Sequence, residues 1–121
     1  NSKFVLHALR GAITCEENSQ ESIAGAVNLL INELVRRNDL KPKQILSVTF
    51  SVTKDLNACF PAAIARQRPH WDDIALLDCQ QMFVQGDLQN CIRILAIAWL
   101  SNNQSPQHPY LEKATMLRPD R

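Results

Sequence analysis

The strongest constraint on the fold is one amphipathic helix in the first third of the chain. Asn18 and Glu21 have the spacing of a capping box, and Pro42 lies just beyond an expected helix end near Asn38. Between these limits the apolar residues follow helical spacing, and charge lies on the opposite face. Those residues are Ile23, Ala26, Val27, Leu30, Ile31, Leu34 and Val35. Such a helix has one apolar side, which a sheet or another helix must cover.

Most of the remaining chain consists of segments that favour strands. Residues 4–14, 45–52, 74–84, 90–100 and 110–117 are rich in strand-compatible side chains, with Gly86-Asp87 as a turn. A short helix, capped by Asp55 or Asn57 with Pro61 in its first turn, is expected to end at Arg66. The order β-α-β-α-β-β-β predicts an α+β fold, a mixed β-sheet with one long and one short helix, in a single domain over residues 1–121.

The predicted architecture leaves part of the sheet uncovered, because one long helix protects only one face. In a chain of 121 residues little else remains to cover the other, so we expect a homo-oligomer. A net charge of +1 provides no strong field for nucleic acid or an anionic membrane. The longest apolar run, residues 94–100, is too short to span a bilayer. Neither a nucleic-acid nor a membrane partner is expected.

Cysteine and histidine do not form the patterns of a metal or disulfide framework. The four cysteines are far apart and include no C-x-x-C pair, which favours free thiols and a cytoplasmic location. The three histidines lack metal-ligand spacing, and the three glycines are too scattered for a phosphate loop. No metal or cofactor site is predicted. The cysteines are Cys15, Cys59, Cys79 and Cys91.

Two arginines stand in apolar strand segments without an acid beside them. Arg10 lies in VLHALRGAI and Arg93 in CIRILAIA, and Arg66 and Arg118 are further candidates. Burying an unpaired guanidinium costs several kcal/mol, so its partner is an acid from elsewhere in the fold or an anionic ligand. The alternative is that these arginine side chains point into solvent. Two such strands favour a pocket for a small molecule that carries carboxylates, because guanidinium binds carboxylates in bidentate geometry.

Four runs of sequence resemble one enzyme family. LRGAIT at 9–14, FSVTKDLNACFPAAIAR at 50–66, CIR at 91–93 and YLEKATMLRPD at 110–120 resemble the monofunctional chorismate mutases of the trimeric α+β, or pseudo-barrel, class. The match keeps the same order over essentially the whole chain. The resemblance implies a homotrimer with a barrel-like packed core and active sites in clefts between subunits. It also implies a cofactor-free rearrangement of chorismate to prephenate in aromatic amino acid biosynthesis.

The resemblance implies roles at the matching positions. Arg10 matches the arginine that holds a substrate carboxylate, Tyr110 the tyrosine that assists it, and Arg93 the arginine at the ether oxygen. The other matches are Phe60 and Leu117 as apolar walls and Arg66 and Arg118 as basic residues at the entrance.

The chain departs from the better-known family members at two positions of the implied site. Gln81 stands where they carry a glutamate that meets the substrate hydroxyl and balances the arginines, and Ala63 stands where some carry a lysine. Asp78 is close enough in sequence to substitute for that acid, depending on the regularity of its strand. Two other functions stay open. One is a non-catalytic chorismate or dicarboxylate-binding relative, weakened by Gln81. The other is a trimeric enamine or imine hydrolase, against which the local motifs argue.

Overall fold

The computed structural model describes residues 3–119 and shows a four-stranded mixed sheet with two helices against one face. The strand order is β1-β4-β2-β3; β4 is antiparallel to both neighbours, and β2 and β3 are parallel. The elements are β1 Phe4–Thr14, α1 Gln20–Asn38, β2 Ile45–Val52, α2 Pro61–Arg66, β3 Ala75–Gln80 and β4 Cys91–Ser101, with 3-10 helices at Pro42–Gln44 and Glu112–Leu117.

The two N-terminal strands and the long helix lie where the sequence predicts them, but the helix cap is different. The Ser22 N–H donates to the Ser19 hydroxyl (3.1 Å), so Ser19 and not Asn18 caps α1. Asn18 instead accepts from the backbone N–H groups of Asn57 and Ala58, both at 3.0 Å. Asn18 therefore holds the loop before α2 rather than the helix that follows it.

The short second helix begins later than predicted. It starts at Pro61, and the capping position, Phe60, provides no side-chain hydrogen bond. Asp55 accepts from the Thr53 hydroxyl and from the Asn90 N–H, so its carboxylate is used in the loop. The prediction that Asp55 or Asn57 caps this helix is wrong: the helix begins later, and the Asn57 side chain accepts from Asn18 Nδ2 (2.7 Å).

The predicted strand over residues 74–84 is shorter in the structure. The Ile74 N–H closes a turn onto the Trp71 carbonyl, and β3 begins at the next residue. Its partner β2 ends at Val52, whose carbonyl accepts from the Gln81 N–H (2.7 Å). Residues 82–84 follow beyond the end of β2, and their side chains are exposed. The strand ends where the neighbouring strand ends.

The predicted fifth strand over residues 110–117 is wrong. Only Tyr110 bridges to the sheet, at Ala12, and a 3-10 helix follows over Glu112–Leu117. Glu112 has a φ of 54°, and the next N–H, from Lys113, donates to the Thr14 hydroxyl at the end of β1 (3.1 Å). Because β1 ends there, no edge remains for a longer strand to pair with.

The two faces of the sheet differ in how well they are covered. Alternate residues such as Leu9, Phe50 and Ile94 are buried against α1 and α2. The opposite side, here the helix-free face, is formed by Leu6, Ala8, Leu77, Leu95, Ile97 and Trp99. Leu95 is 43% exposed and Trp99 is 40% exposed. Neither α1 nor any other helix of residues 3–119 is long and apolar enough to cross a membrane.

Candidate active site

Arg10 and Arg93 lie on the same side of the sheet, the helix-free face. In the β1–β4 ladder Arg10 is opposite Leu95, and Arg93 is opposite Ala12. The two arginines are therefore diagonal neighbours, and such pairs lie about 7–8 Å apart in antiparallel sheets. Arg10 is exposed and forms no ion pair with any residue in 3–119. The strand register thus places two guanidinium groups together on a surface that also carries large apolar side chains.

Tyr110 lies beside these arginines because the chain before it runs along the free edge of β1. The Arg10 N–H donates to His108 Nδ1 (3.0 Å), and the Ala12 N–H donates to the Pro109 carbonyl (3.0 Å). The Leu111 N–H then donates to the Ala12 carbonyl (2.9 Å). Tyr110 and Ala12 form a parallel bridge, so Tyr110, Ala12 and Arg93 form one row across the sheet.

This close approach requires the glycine that precedes Ala12. A Cβ atom at Gly11 would lie 2.5 Å from the Pro109 carbonyl oxygen, which real Cβ contacts essentially never reach. Any larger residue would push away the segment that carries Tyr110. The glycine of the LRGAIT run therefore has a steric role beside the arginine.

A small apolar cluster supports this row from the C-terminal side. Ala12, Cys91 and Ala114 are fully buried, and Leu88, Tyr110 and Leu117 pack against them. Leu117 ends the 3-10 helix, and the half-buried Arg118 follows it directly. The structure thus brings the C-terminal pair of predicted site residues to the arginine side of the sheet.

Arg93 has a carboxylate neighbour that the sequence analysis missed. Its Nη2 lies 3.6 Å from Asp87 Oδ1, and the two side chains are 23% and 27% exposed. Its Nη1 is buried and has no hydrogen-bond partner within residues 3–119. Asp87 belongs to the predicted Gly86-Asp87 turn, where Gly86 has a φ of 86°. That turn, six residues before Arg93, was the available signal that an acid could fold back onto the strand.

Gln81 follows β3 and is bonded to the β2 residue that pairs with Arg93. Its Oε1 accepts a hydrogen bond from the Ser51 hydroxyl (2.6 Å), and Ser51 is the β2 partner of Arg93. The position expected to hold a glutamate is thus occupied by a neutral amide that is bonded to a serine.

Asp78 does not take the place of the missing acid in this chain. It pairs with Phe50 in the sheet and faces the helices, where its Oδ1 accepts from the Ala62 N–H (3.0 Å). Burial raises the pKa of the Asp78 carboxyl, against the opposing effects of the Ala62 N–H and the Arg66 charge. The strand is regular here, and alternation turns Asp78 away from Arg93.

The predicted site residues fall into two groups within one chain. Arg10, Arg93 and Tyr110 belong to the β1–β4 side, whereas Phe60 and Arg66 flank α2 beside the opposite edge strand, β3. Phe60 is 71% exposed, and Arg66 is exposed as well. A single subunit therefore does not bring all the predicted residues into one pocket.

The cavities of the isolated chain include few of the predicted residues, Leu117 in one and Gln81 in another. One of about 900 Å³ lies between residues 86–90 and the C-terminal 3-10 helix, and another of about 330 Å³ lies between residues 53–55 and 81–89. Neither is lined by Arg10, Arg93 or Tyr110. Within residues 3–119 no three His, Cys, Asp or Glu side chains converge as metal ligands would.

Comparisons with known proteins match one family over nearly the whole chain. The sequence profile of the chorismate mutase type I family matches residues 6–121. The chain belongs to the type I chorismate mutase family. It is 33% identical over 118 residues to the chorismate mutase AroH of Bacillus subtilis (strain 168). That alignment covers 97% of this chain and 93% of the relative. The chain is 37% identical over 121 residues to the chorismate mutase AroH of Thermus thermophilus, with 96% of each covered.

The fold leads to the same family. A chorismate mutase structure from Clostridium thermocellum superposes with a TM-score of 0.83 at 34% identity, and the match covers 91% of this chain and 98% of that one. The family and the chorismate mutase function predicted from the sequence are thus confirmed, and the chain is an isomerase. The α+β class is confirmed in its coarse form, a four-stranded mixed sheet with helices.

Proposed function

We propose that this chorismate mutase rearranges chorismate to prephenate on its Arg10–Arg93 face, in a site completed by a neighbouring subunit of a homotrimer. The observation that carries the proposal is the buried Arg93 Nη1, which lacks a partner within residues 3–119. A buried guanidinium nitrogen without a partner is costly, and an anionic or strongly polar ligand oxygen would satisfy it.

The chemistry of the reaction suits this set of residues. The rearrangement breaks one C–O bond and forms one C–C bond, and it transfers no proton to the enzyme. Catalysis therefore needs a restrained substrate conformer and positive charge where the ether oxygen becomes negative. In our proposal Arg10 and Tyr110 hold a substrate carboxylate, and Arg93 Nη1 donates to the ether oxygen. Gln81, held by Ser51, offers its amide to the substrate hydroxyl.

The neighbouring subunit would supply the second group of residues. Phe60 is exposed at the start of α2 and provides an apolar wall, and Arg66 is exposed at its end and attracts the dianionic substrate. Leu117 and Arg118 of the subunit that carries Arg93 would close the site from its C-terminal 3-10 helix. Ala63 lies in α2 between these residues and lacks the charge that a lysine would add.

The helix-free face supports a trimer with a barrel-like core. Leu6, Leu95 and Trp99 are each at least 40% exposed there, and Leu77, on β3 across β2, is 61% exposed. Monomeric proteins rarely leave such a group of large apolar side chains in water. Packing three such faces together would bury them and would bring the α2 edge of one subunit to the arginines of another.

We also place the enzyme in a reducing cytoplasm. All four cysteines are unpaired thiols, and Cys15 and Cys91 are buried in the interior. Four reduced thiols are typical of a reducing compartment.

The first experiment measures loss of chorismate absorbance by the purified protein and by Arg93→Ala. We expect kcat to fall roughly 10²–10³-fold in the variant, as for the loss of one preorganised donor. Arg36→Ala is the matched control, because Arg36 pairs with Glu33 on the exposed surface of α1. Full activity of Arg93→Ala would remove Arg93 from the mechanism. No turnover by a folded protein that still binds a bicyclic dicarboxylate analogue would instead favour the binding-protein alternative.

A mixing experiment tests the shared site directly. Arg93→Ala and Arg66→Glu each damage one half of the proposed site, and each homotrimer should be nearly inactive. After unfolding and refolding together, about a quarter of the interfaces should join two undamaged halves. Activity should then return to about that fraction of wild type. Mixtures no more active than the parents would contradict a site built from two subunits.

A further inference from the structure

The ion pair between Arg93 and Asp87 is the starting point of the inference. Within residues 3–119 Asp87 is the one carboxylate in ion-pair contact with Arg93, at 3.6 Å from Nη2. Gln81, whose Oε1 accepts from the hydroxyl of Ser51, the β2 partner of Arg93, is neutral. The charge of Arg93 is thus balanced from the loop before β4.

The loop holds the Asp87 carboxylate in place through its own backbone. Gly86 turns the chain with a φ of 86°, and the Asp87 N–H donates to the Val84 carbonyl (3.0 Å). Asp87 Oδ1 also accepts from the Leu88 N–H (2.8 Å), and Leu88 packs on the buried cluster of Ala12, Cys91 and Ala114. The backbone of Asp87 is therefore held by Val84 and its carboxylate by Leu88, independently of Arg93.

A contact at one nitrogen orients the whole guanidinium, because that group is planar and rigid. Nη2 is directed toward Asp87, which leaves the buried Nη1 as the nitrogen available to a ligand. We propose that Asp87 is a positioning residue of this enzyme, which orients Arg93 and takes over the charge balance that neutral Gln81 does not supply. This inference rests on the proposed role of Arg93 at the ether oxygen.

The test is the variant Asp87→Asn, which removes the charge and keeps an oxygen that can accept from the Leu88 N–H. The variant loses the ion pair at 3.6 Å, which is largely shielded from solvent, so we expect kcat to fall about fivefold. KM should stay constant or fall, because the site becomes more positive and the substrate is a dianion. Asp72→Asn, at an exposed position before β3, controls for the loss of one negative charge.

A second carboxylate should rescue the defect if Asp87 acts through Arg93. Gln81→Glu places a charge beside Ser51, the β2 partner of Arg93, whose hydroxyl can hold it. We expect Gln81→Glu in the Asp87→Asn background to restore most of the lost kcat. A purely structural defect of the loop would not respond to a charge added at position 81, just after β3.

The outcomes separate this inference from the proposed function. Wild-type kcat in Asp87→Asn, a raised KM, or a loss that Gln81→Glu does not rescue would each overturn the role of Asp87. If Arg93→Ala, assayed in parallel, loses activity while Asp87→Asn does not, only the Asp87 inference fails. If Arg93→Ala keeps its activity, the mechanism on which the inference depends fails with it.

Discussion

Asn38 and Gln107 are joined by two reciprocal hydrogen bonds across 69 residues of sequence. Asn38 Nδ2 donates to the Gln107 carbonyl (2.9 Å), and the Gln107 N–H donates to Asn38 Oδ1 (2.8 Å). Asn38 is completely buried at the end of α1. The next residues, His108 and Pro109, bond to the backbone of β1, so the last turn of the helix helps to fix the segment that carries Tyr110.

Replacing Asn38 by alanine should destabilise the protein. The substitution removes both half-buried bonds to the Gln107 backbone and a third, buried bond to the Leu34 carbonyl. We expect the free energy of unfolding to fall by about 2–4 kcal/mol in urea denaturation, since each group left without its bond to Asn38 costs about 1–3 kcal/mol. Asn103→Ala, on the exposed part of the same loop, should change it by less than about 0.5 kcal/mol. Equal effects of the two variants would contradict this role of Asn38.

Two glycine-to-alanine substitutions should have opposite effects. At Gly11 the new Cβ meets the Pro109 carbonyl oxygen at 2.5 Å, so Gly11→Ala should displace Tyr110, lowering both stability and kcat. At Gly25, in α1, a Cβ meets nothing within 4 Å. Gly25→Ala should therefore raise the free energy of unfolding by about 0.5–1 kcal/mol, because alanine favours the helix. Thermal melting and the chorismate assay measure both effects, and a tolerated Gly11→Ala would refute the steric argument.

A charge on the helix-free face should disrupt assembly and activity together. Leu95→Glu places a carboxylate in the proposed trimer core, and analytical ultracentrifugation should show monomers with little mutase activity. Leu29→Glu is the matched control, because Leu29 on α1 is 45% exposed and Leu95 is 43% exposed. It should remain trimeric and active. A Leu95→Glu protein that still forms trimers would place the subunit interface elsewhere.

The buried thiols should make the protein sensitive to alkaline pH. Burial raises the pKa of both Cys15 and Cys91 from 9.0 to about 11. Below pH 9.0 the folded and the unfolded protein both keep the protons of these two thiols. As the pH rises from 9.0 to about 11, the unfolded chain releases them while the folded protein retains them, so stability falls. The double variant Cys15→Ala and Cys91→Ala should lose less stability over this range in urea titrations. Parallel losses in both proteins would assign the alkaline sensitivity to other groups.

Local patterns in the sequence were sufficient for several elements. The predicted bounds of β1 and β2 agree with the structure, and α1 ends at Asn38 as expected. Each of these segments has its own hydrophobic periodicity, and Asn, Asp and Pro mark the loops between them. The family motifs also lay in contiguous runs, so the resemblance could be read without knowing the fold.

The errors occurred where an element depends on what lies beside it. Residues 110–117 favour a strand locally, but β1 ends at Thr14 and offers no further edge. Asn18 is a good capping residue, but its side chain is used by the loop at Asn57 and Ala58. In both cases a tertiary partner overrode a local preference.

The sequence alone therefore determined the family and the class of fold, and it proposed a set of arginines for the site. The tertiary structure decided how those residues combine: strand register set Arg10 diagonally to Arg93, and the turn at Gly86 brought Asp87 to Arg93. It also placed Phe60 and Arg66 away from Arg10 and Arg93, beside the opposite edge of the sheet. The reason is physical. Periodicity and propensity are properties of neighbouring residues, whereas an ion pair or a shared site depends on which distant segments the fold brings together.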